Sequence, residues 1–392
     1  MKILIVHNRY QQSGGEQGVV DAQIRLFREK GHEVILFERD NNEISRYRIF
    51  EKINFIFETL FSLKTVKEIN NIFRINRPDI VHVHNVFPLI SPSVYWAIHR
   101  HQVPIVQTIH NFRLMCPNGL FYTHGQICER CKMGNMCHAI LRRCYRNSIL
   151  LSALYALTIS LNRWLGTFKK ISGFIVLNSF TTEKLIESGI TKKEKIKIIP
   201  NFLSEKLPVK GPQLRLPEGI FLGRLSQEKG VHLLIESIKL VPGLTLRILG
   251  VGPMEVELKQ LANELKDQVK FEGFIEGDTK FSILKNALVL VLPSVWYEQF
   301  PMAALEGMAL GVPLIVPNIG GWPSIVEDGE NGFLFEPGNV NDLASIMKLL
   351  FNNPGLAVQM GLKGRRLVEE RFSAENYYSE VIKLYSSLIK DQ

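Results

Sequence analysis

Short runs of aliphatic and β-branched residues recur along the first half of the chain, at 3–7, 34–38, 80–84, 105–109 and 174–177, and apolar residues between them fall at helical spacing. Runs that do not alternate strictly with polar residues, and that are separated by helices, predict strands buried on both faces of a parallel sheet. The rhythm repeats at 220–222, 245–249, 270–272, 288–292 and 314–316. Two doubly wound, Rossmann-like α/β domains in tandem are therefore expected, over residues 1–199 and 220–373. Between them, residues 200–219 hold four prolines and two glycines with little apolar periodicity, which predicts a linker with a cleft opening beside it. Residues 374–392 predict a terminal helix with one apolar face, expected to pack back on the first domain.

The 392 residues are 46% hydrophobic and 22% charged, a soluble globular composition in a chain too long for one compact core. The net charge of +9 is unevenly spread: residues 1–200 hold 28 of the 47 Lys and Arg but only 15 of the 38 Asp and Glu. A basic first domain suits an anionic membrane surface or a phosphorylated acceptor, with solvated surface lysine as the plainer reading. Nucleic acid is not an expected partner. The opening residues are too short and too β-like for a signal peptide, so the expected location is cytoplasmic, peripheral at the inner face of the membrane. The uncharged stretch 147–162 falls short of the roughly 18 residues needed to cross a bilayer. Flanked by Arg142, Arg143 and Arg146 and by Arg163, Lys169 and Lys170, it predicts either a core helix with basic ends or a helix lying on a membrane surface.

The densest chemistry lies in Glu298-Gln-Phe-Pro-Met-Ala-Ala-Leu-Glu306, where two acids bracket the passage from a strand into a helix. Glu298 is expected in the turn and Glu306 along the helix. Upstream, Gly223-Arg224-Leu-Ser-Gln-Glu-Lys229-Gly230 puts a planar fork of donors and a mobile point charge in another strand-to-helix turn. Paired cations with paired carboxylates point to a nucleotide-diphosphate sugar. Arg224 and Lys229 would neutralise the diphosphate, and the free N–H groups of a helix beginning near Pro301 would face the same phosphates. Glu306 would accept from ribose hydroxyls and Glu298 from the transferred sugar. Taken singly, each of these groups reads as an ordinary surface residue.

Gly250-Val-Gly252 has Glu255 where a dinucleotide fingerprint needs its third glycine, so it reads as a tight turn. Ser13-Gly14-Gly15-Glu16, after the first strand, is either a backbone approach to ligand or a plain βα turn. His110 ends a strand where open parallel sheets hold their ligands, as a sugar contact or a packed side chain. His82 and His84 read as structural. All five cysteines, Cys116, Cys128, Cys131, Cys137 and Cys144, cluster in what reads as an insertion over 111–146. Cys116, Cys128, Cys131 and Cys144 have the makings of a structural zinc site; reduced thiols and disulfides are the other two readings. No Asp-x-Asp motif is present to hold a divalent ion on a diphosphate, so no catalytic metal or other cofactor is expected.

Together these residues resemble glycosyltransferase family 4, retaining transferases of GT-B fold, over nearly the whole chain. The resemblance rests on Gly14-Gly15, Gly31-His-Glu-Val34, His110, Pro200-Asn201, Gly223-Arg224 with Lys229-Gly230, Gly250-x-Gly252-Pro253, Pro293-Ser294, the Glu298 to Glu306 motif, Gly311-Val-Pro313 and Gly329-x-Asn331-Gly332. The stretch from His110 to Cys144 also resembles one in a bacterial polysaccharide-building subset. The family implies two Rossmann-like domains facing a central cleft, with Arg224 and Lys229 on the diphosphate, Glu306 on the ribose, Glu298 on the transferred sugar and His110 on a sugar hydroxyl. Gly223, Gly14, Gly15, Phe300, Pro301 and Met302 would line the donor, with Gly273 and Phe274 near the base. Pro301 stands where many members have glycine and cannot donate a backbone hydrogen bond, which puts the usual main-chain contacts to the hexose in doubt there. The implied reaction is a retaining, metal-independent transfer from a nucleotide-diphosphate sugar to an acceptor hydroxyl of a lipid-linked glycan. A sugar-nucleotide epimerase, a phosphorylase of the same architecture and a noncatalytic sugar-nucleotide-binding scaffold are the alternatives.

Overall fold

The computed structural model describes residues 1–11, 14–204 and 215–390. Two parallel six-stranded sheets dominate it. The first contains β1 (Lys2–Arg9), β2 (Glu33–Asp40), β3 (Ile80–Val83), β4 (Ile105–Ile109), β5 (Gly173–Val176) and β6 (Ile196–Ile198), in the order β2-β1-β3-β4-β5-β6. The second contains β7 (Leu216–Leu222), β8 (Thr245–Leu249), β9 (Val269–Gly273), β10 (Ala287–Val291), β11 (Leu314–Pro317) and β12 (Gly332–Phe335), in the order β9-β8-β7-β10-β11-β12. The apolar runs explain the architecture: Ile3 to Val6 and Ala287 to Val291 are buried throughout, as strands covered on both faces must be. Ile3 pairs with Val34 on one side and Ile80 on the other.

Strand order reverses direction at β1/β3 in the first sheet and at β7/β10 in the second. Loops leaving the carboxyl ends of such a pair run to opposite sides and leave a crevice, the place where open α/β sheets take their ligands. Helix α1 (Gly15–Glu29) follows β1 and buries Val19, Val20, Ile24 and Phe27. The other helices used below are α2 (Ile49–Leu60), α3 (Ile149–Trp164), α4 (Val231–Ile238), α5 (Gly277–Leu284), α6 (Met302–Ala309) and α7 (Ala374–Lys390). Among the described residues no helix is long and apolar enough to cross a membrane.

The chain divides into two compact units. One comprises Met1–Thr123, Cys128–Pro200 and Tyr377–Gln392, the other His124–Ile127 and Asn201–Asn376. The terminal stretch is part of the first unit's core, because α7 buries Tyr377, Val381 and Tyr385 at intervals of four, a stripe along one face. The Tyr377 hydroxyl meets Gln23 Nε2 at 2.8 Å and the Tyr385 hydroxyl meets His82 Nδ1 at 2.5 Å. Of the expected linker 200–219, residues 205–214 lie outside the described residues. Its last part is not linker: Leu216 to Gly219 open β7, a start masked in the sequence by Pro217 and Glu218. Arg215, just before it, is buried and donates to the carbonyls of Lys285, Ala287 and Gly311.

Candidate active site

In the second unit the loop after β7 and the loop after β10 interlock at the reversal point. Gly230 carries a positive φ of 69°, and a Cβ there would collide with the Pro293 carbonyl oxygen. Only glycine lets the two backbones approach so closely. The Val295 N–H donating to the Glu228 carbonyl at 2.9 Å closes the contact. This brings Lys229 Nζ within 2.5 Å of Glu298 Oε1 and 5.4 Å of the Trp296 ring centroid. The Ser294 hydroxyl donates to the same carboxylate oxygen at 2.7 Å, and the Gly321 N–H donates to the Glu298 carbonyl at 2.8 Å. The Glu298 side chain is 8% exposed and that of Lys229 24%. Arg224, beyond the extended Gly223, is exposed and makes no side-chain hydrogen bond or ion pair among the described residues. The loop thus presents one cation held in a pair and one open to an incoming anion.

Helix α6 begins at Met302, with Pro301 at its cap in an extended conformation and no side chain capping the first N–H groups. Pro301 therefore precedes the helix instead of opening it, and the uncapped amides leave the positive end of the helix available to an anion. Glu306, a turn further on, pairs with Lys280 of α5 at 2.8 Å, and both are largely shielded. Lys280 had no signal in the sequence, since it lies on a different helix. Phe300 is buried with its ring 5.2 Å from that of Phe372, so its side chain anchors the loop. Met302 is half-buried. Gly273 ends β9 with a positive φ of 73°, and Phe274 beyond it is 69% exposed.

The first unit builds its own cluster at its reversal point. His7 ends the apolar run of β1, His84 follows β3 and His110 follows β4, so three adjacent strands deliver imidazoles to one edge. His84 Nδ1 and His110 Nε2 share a proton across 2.8 Å, with the rings stacked at 5.1 Å, and His82 stacks on His84 at 4.3 Å. Gln17 gives its amide N–H to Asp21, so its oxygen accepts from His7 Nε2 at 2.8 Å. Burial pushes His7 down to about 4 and His82 and His110 to about 3, and holds His84 well below its usual range. The cluster is neutral at physiological pH. His84 holds His110 in place through that contact, which agrees with a structural part for it.

Glu16, on the first turn of α1, lies 3.9 Å from His7 Nδ1 and accepts a hydrogen bond from Asn111 Nδ2 at 3.4 Å. Burial raises it to about 7, opposed by Arg113, Tyr10 and Asn111. Asn111 also donates to the Tyr10 hydroxyl at 3.0 Å, and the Arg113 guanidinium lies over the rings of Phe87, Tyr145 and Tyr155. His7 Nδ1, His84 Nε2 and Glu16 Oε1 are buried with no hydrogen-bond partner. Gly14 caps α1 and Gly15 opens it, both exposed; a Cβ on Gly14 would meet nothing within 4 Å, and Ser13 lies outside the described residues. The cysteines are all free thiols, and Cys116, Cys128, Cys131 and Cys144 stand around one small cavity.

Two family models match consecutive parts of the chain: Glycosyltransferase Family 4 over residues 13–206 and Glycosyl transferases group 1 over residues 206–367. An uncharacterized glycosyltransferase of Methanocaldococcus jannaschii is 24% identical over 375 residues, spanning 91% of this chain and 87% of that protein. The capsular polysaccharide biosynthesis glycosyltransferase CapM of Staphylococcus aureus is 26% identical over 236 residues, 55% of this chain and 62% of CapM. Among solved structures, sucrose-phosphate synthase from Thermosynechococcus elongatus superposes with a TM-score of 0.71 at 19% identity, covering all of both chains. HepE from Anabaena, in complex with UDP-glucose, superposes with a TM-score of 0.67 at 16% identity, over 99% of this chain and 100% of that one.

Proposed function

Because the chain belongs to family 4 of the glycosyltransferases and has their two-domain GT-B architecture, we propose that it moves a sugar from a nucleotide diphosphate to a glycan acceptor hydroxyl, with retention and without a catalytic metal. The observation that carries this reading is the interlocked pair of loops in the second unit, which pairs Lys229 with Glu298 just ahead of the uncapped start of α6 and leaves Arg224 exposed in the same loop as Lys229. As the bond from sugar to phosphate breaks, negative charge grows on the departing diphosphate. Arg224, Lys229 and the first amides of α6 are the groups suited to receive it. Lys229 is paired with Glu298, so an arriving phosphate competes for the ammonium and leaves Glu298 to accept from a sugar hydroxyl. Lys280 fixes the Glu306 carboxylate for the ribose. The departing phosphate takes the acceptor proton, so no protein base is required.

In the first unit, the His110–His84 pair and the unpartnered acceptors on His7 and Glu16 suit a polyhydroxylated ligand. Neutral imidazoles exchange hydrogen bonds with sugar hydroxyls in either direction, and a hydroxyl would satisfy acceptors that are otherwise costly to bury. HepE binds UDP-glucose, which makes a UDP-sugar the first donor to try. The test is nucleotide release across UDP-, GDP-, ADP- and TDP-sugars, with lipid-linked acceptors added or withheld and Glu306→Ala beside the parent. Acceptor-stimulated release from one donor, lost in the variant, supports transfer. A requirement for inorganic phosphate would point to a phosphorylase, and conversion of the donor alone to an epimerase.

A lipid-linked acceptor is supported by an apolar surface on the first unit. Helix α2 leaves Phe50, Ile53 and Phe57 exposed, at 81%, 53% and 64%, and packs on α3, which leaves Ile149, Leu150 and Leu157 exposed. Arg46, Arg48 and Lys52 flank or lie on α2, and Arg142, Arg143 and Arg146 precede α3. Aromatic and aliphatic side chains among basic ones match an anionic bilayer surface. Sedimentation with vesicles of anionic lipid at low salt should carry the protein down, and Phe50→Ser with Phe57→Ser should weaken binding about tenfold or more. Equal binding by the doubly substituted protein would remove this surface from the proposal.

A further inference from the structure

Residues 111–146 have little regular structure, yet Phe112, Met115 and Phe121 within them are fully buried. A stretch with so few ladder hydrogen bonds needs another source of rigidity. Four of its five cysteines, Cys116, Cys128, Cys131 and Cys144, line a cavity of about 10 Å³ together with Asn118, Tyr122, Thr123, His138 and Ala139. That is room for one water-sized sphere and too small for an organic ligand. The fifth, Cys137, is exposed and takes no part.

Burial raises Cys116, Cys131 and Cys144 above the usual thiol range, so without a metal these three side chains are neutral thiols. Both knuckles are tight turns: the Gly119 N–H donates to the Cys116 carbonyl and the Gly134 N–H to that of Cys131, each at 2.9 Å. Cysteines serving only as apolar filler would close-pack and would not surround a cavity. The Cys116 thiol now donates to Asn118 Oδ1 at 3.0 Å. Among the described residues no three His, Cys, Asp or Glu side chains are placed to hold a metal ion as they stand, so the site requires the sulfurs to move inward on binding.

We propose that this cavity binds one zinc ion through the four thiolates of Cys116, Cys128, Cys131 and Cys144, as a structural tether for residues 111–146. Tetrahedral coordination with Zn–S bonds of about 2.3 Å suits four sulfurs around a space of this size. Each thiol gives its proton to solvent as its sulfur binds, and nothing is oxidised or reduced. Arg142, close enough to act on Cys144, offsets part of the negative charge that results. The tether would hold the segment that starts with Asn111 and Arg113, and so reaches the sugar-facing cluster without joining the chemistry.

The test is metal content of the full chain purified without a metal-affinity step, followed by replacement of zinc with Co²⁺ under reducing conditions. One zinc per chain, and a cobalt spectrum with the charge-transfer intensity of four thiolates, is the expected result. Cys137→Ser should keep that spectrum and Cys131→Ser should lose a thiolate. If Cys131→Ser does not fold, the parent's spectrum decides alone. A parent that takes up no Co²⁺ after full reduction overturns the proposal, as does a disulfide among these residues before reduction. A three-thiolate spectrum that changes in His138→Ala overturns the four-cysteine assignment.

Discussion

The two units share a doubly wound sheet with a strand reversal, but they furnish that reversal in opposite ways. The first gathers imidazoles so deeply buried that they stay neutral, beside a carboxyl raised to about 7. The second gathers cations and carboxylates, leaving Arg224 exposed and pairing Lys229 with Glu298 and Lys280 with Glu306. The difference follows the ligands proposed for each. A diphosphate that gains charge in the transition state needs fixed cations, whereas sugar hydroxyls need donors and acceptors without net charge.

The strongest way to break this comparison is to remove the cations. Arg224→Ala and Lys229→Ala should each lower kcat/KM about a hundredfold or more. Arg224→Ala should leave the melting temperature unmoved, because its side chain is exposed and makes no hydrogen bond or ion pair among the described residues. A variant that kept parental turnover would show that the second unit's charges are merely surface. Acid should act on the other unit. His7 has a depressed pKa, so its contribution is intact above pH 6.5 and is lost as pH falls toward about 4, at a cost of about 3 kcal/mol. Glu16, shifted the other way, favours the folded state as pH falls from about 7 to 4.5 and offsets part of that loss. Hydrogen exchange should therefore show β1, β3 and β4 losing protection before β7 and β10 on acidification, and the reverse order would contradict the neutral-cluster account.

Two finer substitutions sharpen the contrast within the second unit. Glu306→Ala should cost about 2 kcal/mol of donor binding, read as a rise in KM of about thirtyfold. Lys280→Ala, which only loosens the carboxylate, should cost about 1 kcal/mol or less, a rise of fivefold or so. Should Lys280→Ala exceed Glu306→Ala, the lysine itself would be the ligand contact.

Local pattern made the sheets legible, because strands covered on both faces must be continuously apolar. The turn holding Glu298 and the helix holding Glu306 were legible for the same reason, since strand, Pro-Ser turn and helix follow one another directly. What escaped were contacts made by strand order. His7, His84 and His110 are far apart in sequence and meet only because β1, β3 and β4 are neighbours. Lys280 and Glu306 lie on separate helices. The start of β7 was hidden by Pro217 and Glu218, and only the carbonyls around Arg215 show that the core begins there. The ring of Phe300 packs in the core against Phe372, an orientation that its place in the motif does not reveal.

The packing of α7 has a consequence for how the chain is made. Tyr377 and Tyr385 complete a core begun by Gln23, Phe27 and His82. On the ribosome, the strands of the first unit emerge long before the helix that seals them, and the whole second sheet is synthesised in between. The early segment must therefore wait with an unsealed apolar flank, exposed to chaperones, while the later one can finish ahead of it.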